Sequence, residues 1–141
     1  MPAFNKFQQF AEDVYEGVHD LGANTLKVLL TNTAPLATNS VRANLTEITA
    51  GNGYTAGGAT VTITSSSQTG GTYTLVGNNV TITASGGSIA AFRYAVLYND
   101  TPTSPADPLI GFWDNGSAIE LADGESVTIE FDQVNGILQH S

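Results

Sequence analysis

Few residues of this chain have the type and spacing that chemistry would require. The only imidazoles are His19 and His140, and cysteine is absent. A zinc site would therefore need both histidines, from opposite ends of the chain, together with carboxylates. There is no Gly-x-Ser-x-Gly elbow to present a nucleophilic serine beside either histidine. We therefore expect two surface or assembly-facing histidines, no metal site, no cofactor and no enzyme activity.

A glycine-rich segment is the second candidate for chemistry. Gly51-x-Gly53-x-x-Ala56 fits a loose dinucleotide fingerprint. That fingerprint needs a strand before it and a helix after it, whereas here the alternating Thr60–Thr64 follows. The segment is therefore better interpreted as a loop that needs positive φ angles.

The charge balance indicates which classes of partner the protein can bind. The chain has 13 acidic and 4 basic residues, a formal net charge of −9. Its basic residues are scattered singly, whereas phosphate backbones bind clustered Lys and Arg, so we expect no nucleic-acid partner. No stretch has the roughly 20 apolar residues of a membrane span, and anionic lipid headgroups would repel an acidic surface. We therefore expect no membrane partner and no signal peptide.

The element that stands out is an apolar stripe with heptad spacing. Its residues are Phe4, Phe7, Ala11, Val14, Val18 and Leu21. Such spacing places them on one face of a helix over residues 4–21, which Gly22 and Asn24 would end. Since so short a helix is not a stable coiled coil alone, we predict that the stripe is an interaction element. It packs on its own domain or on a neighbour, and the sequence leaves both open.

The remaining sequence has the pattern of β-structure. We therefore divide the chain into an N-terminal amphipathic helix, residues 1–23, and a β-sandwich domain, residues 24–141. Strands are predicted at 25–31, 60–64, 72–76, 79–83, 89–99 and 109–113, with further short ones at 119–121, 127–131 and 136–138. The Gly77-Asn78 turn predicts a hairpin that places Leu75 opposite Val80. Another hairpin would place Ile119 opposite Val127. The fold class is therefore all-β, an antiparallel two-sheet sandwich of about eight strands, jelly-roll-like or immunoglobulin-like, preceded by one N-terminal α-helix.

The aromatic residues of strand 89–99 have two interpretations. Phe92, Tyr94 and Tyr98 alternate along one predicted face, and Phe112 and Trp113 follow in the next strand. Exposed aromatics would form a platform for sugars, but alternating aromatics more often face inward, so we favour a sandwich core.

Several segments together resemble small structural proteins of tailed bacteriophages. The segments are Thr25–Pro35, Leu45–Ile48, Gly51–Gly58, Phe92–Asn99 and Ala122–Ile129. The resemblance implies a β-sandwich virion protein without catalytic residues, most often a head decoration or cement protein. It further implies contact with the phage major capsid protein, a homo-oligomer with the trimer favoured, and a place on the capsid surface after synthesis in the host cytoplasm. The alternative is a tail-tip or fibre module that binds a host-surface glycan.

Overall fold

The computed structural model describes residues 2–141, which are mostly β-structure in antiparallel sheets. Within these residues lie one α-helix, α1 (Gln8–Tyr15), and one 3-10 turn, Arg42–Asn44. The strands are β1 (Asn5–Lys6), β2 (Leu26–Thr31), β3 (Ala59–Val61), β4 (Ile63–Thr69), β5 (Thr72–Gly77), β6 (Val80–Thr83), β7 (Ile89–Asn99), β8 (Leu109–Leu121), β9 (Ser126–Ile129) and β10 (Leu138–His140). The predicted strands at 25–31 and 89–99 are confirmed as β2 and β7.

Three sheets share one core. The largest has the order β1-β8-β7-β2-β3, and the others are β10-β5-β4 and β6-β9. Buried side chains from all three sheets form a main cluster. Its members are Phe10, Leu26, Val28, Leu30, Tyr54, Val61, Leu75, Val80, Ile82, Ala84, Ile89, Phe92, Leu97, Ile110, Trp113, Leu121, Phe131, Ile137 and Leu138. A second cluster contains Phe7, Leu29, Val96, Tyr98 and Leu109.

The predicted helix over residues 4–21 is wrong in extent, because α1 covers only Gln8–Tyr15. At its N-terminal side, Asn5 and Lys6 pair with β8, and Phe7 has extended backbone and donates its N–H to the Ile110 carbonyl. At its C-terminal side, Gly17 has a φ of +78°. The bonds from Gly17 N–H to Val14 and from Val18 N–H to Asp13 form a Schellman motif, which ends the helix well before Gly22.

The apolar stripe is consequently not one helix face. Phe4 packs on the ring of Trp113, with centroids 4.7 Å apart, and Phe7 is 2% exposed in the second cluster. Only Ala11 and Val14 of the six residues lie in α1. The predicted boundary at residue 23 stays a prediction, although β1 on its N-terminal side pairs with β8.

Both predicted hairpins are wrong in pairing. Leu75 lies opposite Leu138 of β10, and Val80 lies opposite Ile129 of β9. The observed hairpin joins β4 to β5 through Gly70 and Gly71, which both have positive φ. Two consecutive positive φ values suit a type I′ turn, whereas Gly77-Asn78 has none.

The partner of Ile119 is Phe92 rather than Val127, because β8 continues to Leu121. The register of β7 and β8 shifts between Phe92 and Tyr94. Phe92 joins the main cluster and Tyr98 joins the second, so the predicted common face of these two residues is wrong. The core interpretation holds for Phe92, Tyr94, Tyr98 and Trp113, which are at most 9% exposed.

Candidate contact site

A large open depression lies beside α1, and we call it the α1 groove. It encloses about 790 Å³ between α1, the segment 17–22, and strands β4, β5 and β10. Its apolar wall consists of Phe10, Ala11, Val14, Tyr15, Leu21, Tyr73 and Leu138. Its polar groups belong to Lys6, His19, Asp20, Ser66 and His140. A depression of this size and composition is typical of a binding site.

The structure brings three of the six stripe residues to this groove. Ala11, Val14 and Leu21 line it, and the side chain of Val14 is 38% exposed. Tyr15, which the stripe did not include, is 74% exposed and extends the apolar wall. Phe4 and Phe7 lie instead against the largest sheet. Phe4 and Phe7 therefore contribute to packing on the sheet, whereas Ala11, Val14 and Leu21 line the groove.

His19, which lines the groove, belongs to a hydrogen-bonded network of polar side chains. The Asn99 side-chain nitrogen lies 2.9 Å from Asn24 Oδ1 and 3.1 Å from His19 Nδ1. Asn99 Oδ1 accepts the backbone N–H of Thr101, and Asn24 Oδ1 also accepts that of Asp20. These bonds connect the segment after α1 to the beginning of β2 and the end of β7.

This network also determines the tautomer of His19. Because Asn99 Oδ1 is occupied by an N–H donor, its amide nitrogen must face His19 and donate to Nδ1. The ring proton of neutral His19 is therefore assigned to Nε2, a buried atom without a hydrogen-bond partner. Burial lowers the pKa of His19, and nearby Asp13 acts in the opposite direction. The segment after α1 thus holds a buried imidazole whose Nε2 has no hydrogen-bond partner.

Tyr15 and His140, which both line the α1 groove, contact each other. The Tyr15 hydroxyl lies 2.9 Å from His140 Nε2, and the two rings meet edge-on with centroids 5.9 Å apart. This contact connects α1 to β10. The sequence did not indicate this contact, because Tyr15 lies one position outside the heptad pattern.

The densest polar cluster lies elsewhere, around Glu47. Its carboxylate accepts hydrogen bonds from Arg42, at 2.7 Å, Tyr54 and the Gly57 N–H. Tyr54 in turn accepts the N–H of Leu30 in β2. Burial opposes ionisation of Glu47, but these hydrogen bonds together lower its pKa. Every polar atom of this carboxylate is occupied, so we interpret the cluster as a clamp that holds the loop 51–58 on β2.

The sequence had only a partial signal for this clamp. Asn44–Glu47 resembles a helix capping box, and a 3-10 turn does occupy Arg42–Asn44. Glu47 contacts the glycine-rich loop instead of capping the turn. The loop interpretation of Gly51–Gly58 is confirmed, since Gly51, Asn52, Gly53, Gly57 and Gly58 all have positive φ.

A smaller cavity of about 160 Å³ lies between β7, β8 and β9. Trp113 lines it and is 5% exposed, and its indole N–H has no hydrogen-bond partner. Arg93 and Asp114 form a bidentate ion pair in β7 and β8, and Arg93 also lines the cavity. Its volume suits a small group rather than a polymer segment.

Comparisons with protein-family models, with curated proteins and with solved structures found no match to this chain. Residues 2–141 contain no group of three or more His, Cys, Asp or Glu side chains placed to hold a metal ion. In the same residues no helix has the length and apolar character required to cross a membrane.

Proposed function

We propose that this chain is a non-enzymatic structural protein of a phage virion, a decoration or cement protein that stabilises the head by bridging capsid subunits. The observation that carries the proposal is the exposed apolar wall of the α1 groove. Val14 and Tyr15 are large apolar side chains left in solvent on a rigid element, where a partner would bury them. The resemblance to tailed-phage structural proteins supports the same role.

The fold class proposed for this role is a jelly-roll-like sandwich. The main cluster supports a sandwich, because it combines side chains of β2 and β8 from the largest sheet with side chains of β5, β6 and β10 from the other two sheets. Such a body presents loops, edges and the short helix for contact while the core stays closed.

Acidic side chains on α1 and at the groove favour a basic partner surface. Glu12 and Glu16 on α1 are exposed, and Asp20 lies at the groove. A capsid surface with apolar side chains flanked by Lys or Arg would complement this arrangement. Apolar burial would supply affinity, and the charges would favour the correct orientation.

The first test is to locate the protein in the intact virion by cryo-electron microscopy. We expect density on the capsid surface, with the α1 groove facing a capsid subunit. Density at the tail tip, together with measurable binding of a saccharide, would favour the glycan-binding module instead.

The second test separates contact from folding. Val14→Asp should abolish head binding and leave the melting temperature nearly unchanged, because Val14 is already 38% exposed. The matched control is Val134→Asp, since Val134 is 84% exposed and lies away from the groove. Phe7→Asp is unsuitable because Phe7 belongs to the core. Equal head binding by both variants would contradict the proposed site.

A further inference from the structure

The strand β4 is an open edge. It is the outermost strand of the sheet β10-β5-β4, and within residues 2–141 only β5 pairs with it. Residues 64–69 are all exposed. An edge strand presents a row of backbone N–H and C=O groups that another strand can pair with. The chemistry of this surface is therefore complementary to a strand.

The usual protections of an edge are missing from most of β4. Natural edges carry charged side chains, proline or bulges, or lie under a loop. β4 contains only Ile, Thr, Ser and Gln, and its one irregularity lies between Ile63 and Ser65. Ser65–Thr69 is therefore a regular strand that is available for pairing.

The distribution of charge favours a second copy of this chain as the occupant. The chain carries a net charge of −9, so two copies repel each other over most of their surfaces. Residues 48–92, which include β4 and β5, contain no charged side chain. At physiological ionic strength repulsion is screened beyond about 8 Å, so most charges of the molecule weaken this contact little. Asp20, which lines the α1 groove together with Ser66, is an acidic side chain near the strand.

We propose that β4 pairs antiparallel with β4 of a second copy across a two-fold axis. The pairing joins the two three-stranded sheets into one continuous sheet. Ser65, Ser67 and Thr69 of each copy lie on one face, and Ser66 and Gln68 lie on the other. These neutral side chains lose little hydration energy and pair by hydrogen bonds. The contact is self-complementary, so it yields a dimer rather than the trimer that the resemblance favours.

The absence of cysteine allows a direct test. Single variants Ser65→Cys, Ser66→Cys and Ser67→Cys can form only intermolecular disulfides. In a two-fold antiparallel pair only the residue beside the axis faces its own copy. We expect one of these variants to cross-link much faster than Ser117→Cys, an exposed control in β8. Cross-linking at Ser117 that equals or exceeds cross-linking at β4 would overturn the proposal.

Sedimentation equilibrium provides the second readout. We expect the unmodified chain to dimerise and Ser67→Lys to raise the dimer dissociation constant about tenfold or more. With the axis at any residue from Ser65 to Ser67, the two introduced charges lie on the same face of the paired strands and close to the axis. Ser117→Lys changes the net charge equally and should leave dimerisation intact. Circular dichroism would verify that both variants are folded.

Three results would refute the β4 contact: a monomer at every concentration, a trimer without cross-links at β4, or a dimer that Ser67→Lys leaves unchanged. A monomer that pairs with a strand of another protein would show a different occupant of the same edge. Ser66 also lines the α1 groove, but Ser67 does not. Ser67→Lys tests β4 through dimerisation and Val14→Asp tests the groove through head binding, so the failures of the two proposals are distinguishable.

Discussion

The strands β2 and β4 are similar in length but opposite in environment. Leu26–Thr31 lies between β7 and β3, with Leu26, Val28 and Leu30 in the main cluster and Leu29 in the second. Ile63–Thr69 has one neighbour, and almost all of its side chains are in solvent. The side chains of β2 therefore stabilise the core, whereas the uncharged edge at β4 remains available for contact.

The largest effect should come from removing packing in β2. Leu30→Ala leaves a cavity beside the main cluster, and we expect it to lower the free energy of unfolding by about 2–5 kcal/mol. Ser67→Ala in β4 should change it by less than about 0.5 kcal/mol. Urea denaturation of both variants checks the contrast. Similar losses would contradict the contrast between the buried side chains of β2 and the exposed side chains of β4.

Two glycines with positive φ sharpen the comparison at the backbone level. A Cβ at Gly58 would lie 1.8 Å from the Val28 carbonyl oxygen of β2, whereas a Cβ at Gly70 meets nothing within 4 Å. Both substitutions strain the backbone by about 1–2 kcal/mol. Gly58→Ala must in addition displace β2, and we expect about 1–3 kcal/mol more. Thermal denaturation should give a clearly lower melting temperature for Gly58→Ala than for Gly70→Ala.

The Glu47 clamp on β2 allows a prediction about the contribution of a charged group to stability. Glu47→Gln weakens the bonds from Arg42, Tyr54 and Gly57, and we expect a loss of about 1–3 kcal/mol. The lowered pKa of Glu47 means that its contribution is complete above the unfolded value of 4.5 and is lost as pH falls through the folded value. The difference between the variant and the unmodified chain should therefore shrink in acid.

The control for this prediction is Asp114→Asn, which breaks the exposed ion pair with Arg93. Solvent screens that pair, so its loss should be smaller than that of Glu47→Gln. Urea titrations between pH 3 and pH 7 check both statements. A larger loss for Asp114→Asn would show that the clamp does not hold the loop on β2.

The smallest effect concerns the two histidines of the α1 groove. Burial lowers the pKa of folded His19 below 6.5, so the unfolded chain binds the proton more readily. Stability should therefore decline as pH falls below about 6.5 toward the folded value. His19→Gln should reduce this decline between pH 7 and pH 5, whereas the exposed His140→Gln should retain it. An unchanged pH profile in His19→Gln would show that His19 is accessible to solvent.

The sequence predicted local character better than it predicted pairing. Alternation identified β7, and a continuous apolar run identified β2, because both signals depend only on nearby residues. The partner of Leu75 was missed, because alternation along β5 is equally consistent with β6 or β10 beside it. Gly17 is a residue type that often follows the end of a helix, but the heptad pattern continues past it and predicted a longer helix.

The candidate site shows the same division. Ala11, Val14 and Leu21 were predicted as contact residues, and the structure places them along the α1 groove. Tyr15 and His140 were not predicted to meet, because they lie at opposite ends of the chain and nothing local relates them. The role of Glu47 was not predicted, because its contacts with Tyr54 and the Gly57 N–H depend on the conformation of the loop and not on spacing.

The mostly β character, the acidic charge, the uncharged segment 48–92 and the glycines that allow tight turns could all be recognised from the amino-acid sequence. These are properties of composition and of neighbouring residues. The tertiary structure decided which strands pair, where α1 ends and which apolar residues stay exposed. Those outcomes depend on contacts between distant segments, since Phe4 and Phe7 pack on β8 instead of continuing a helix.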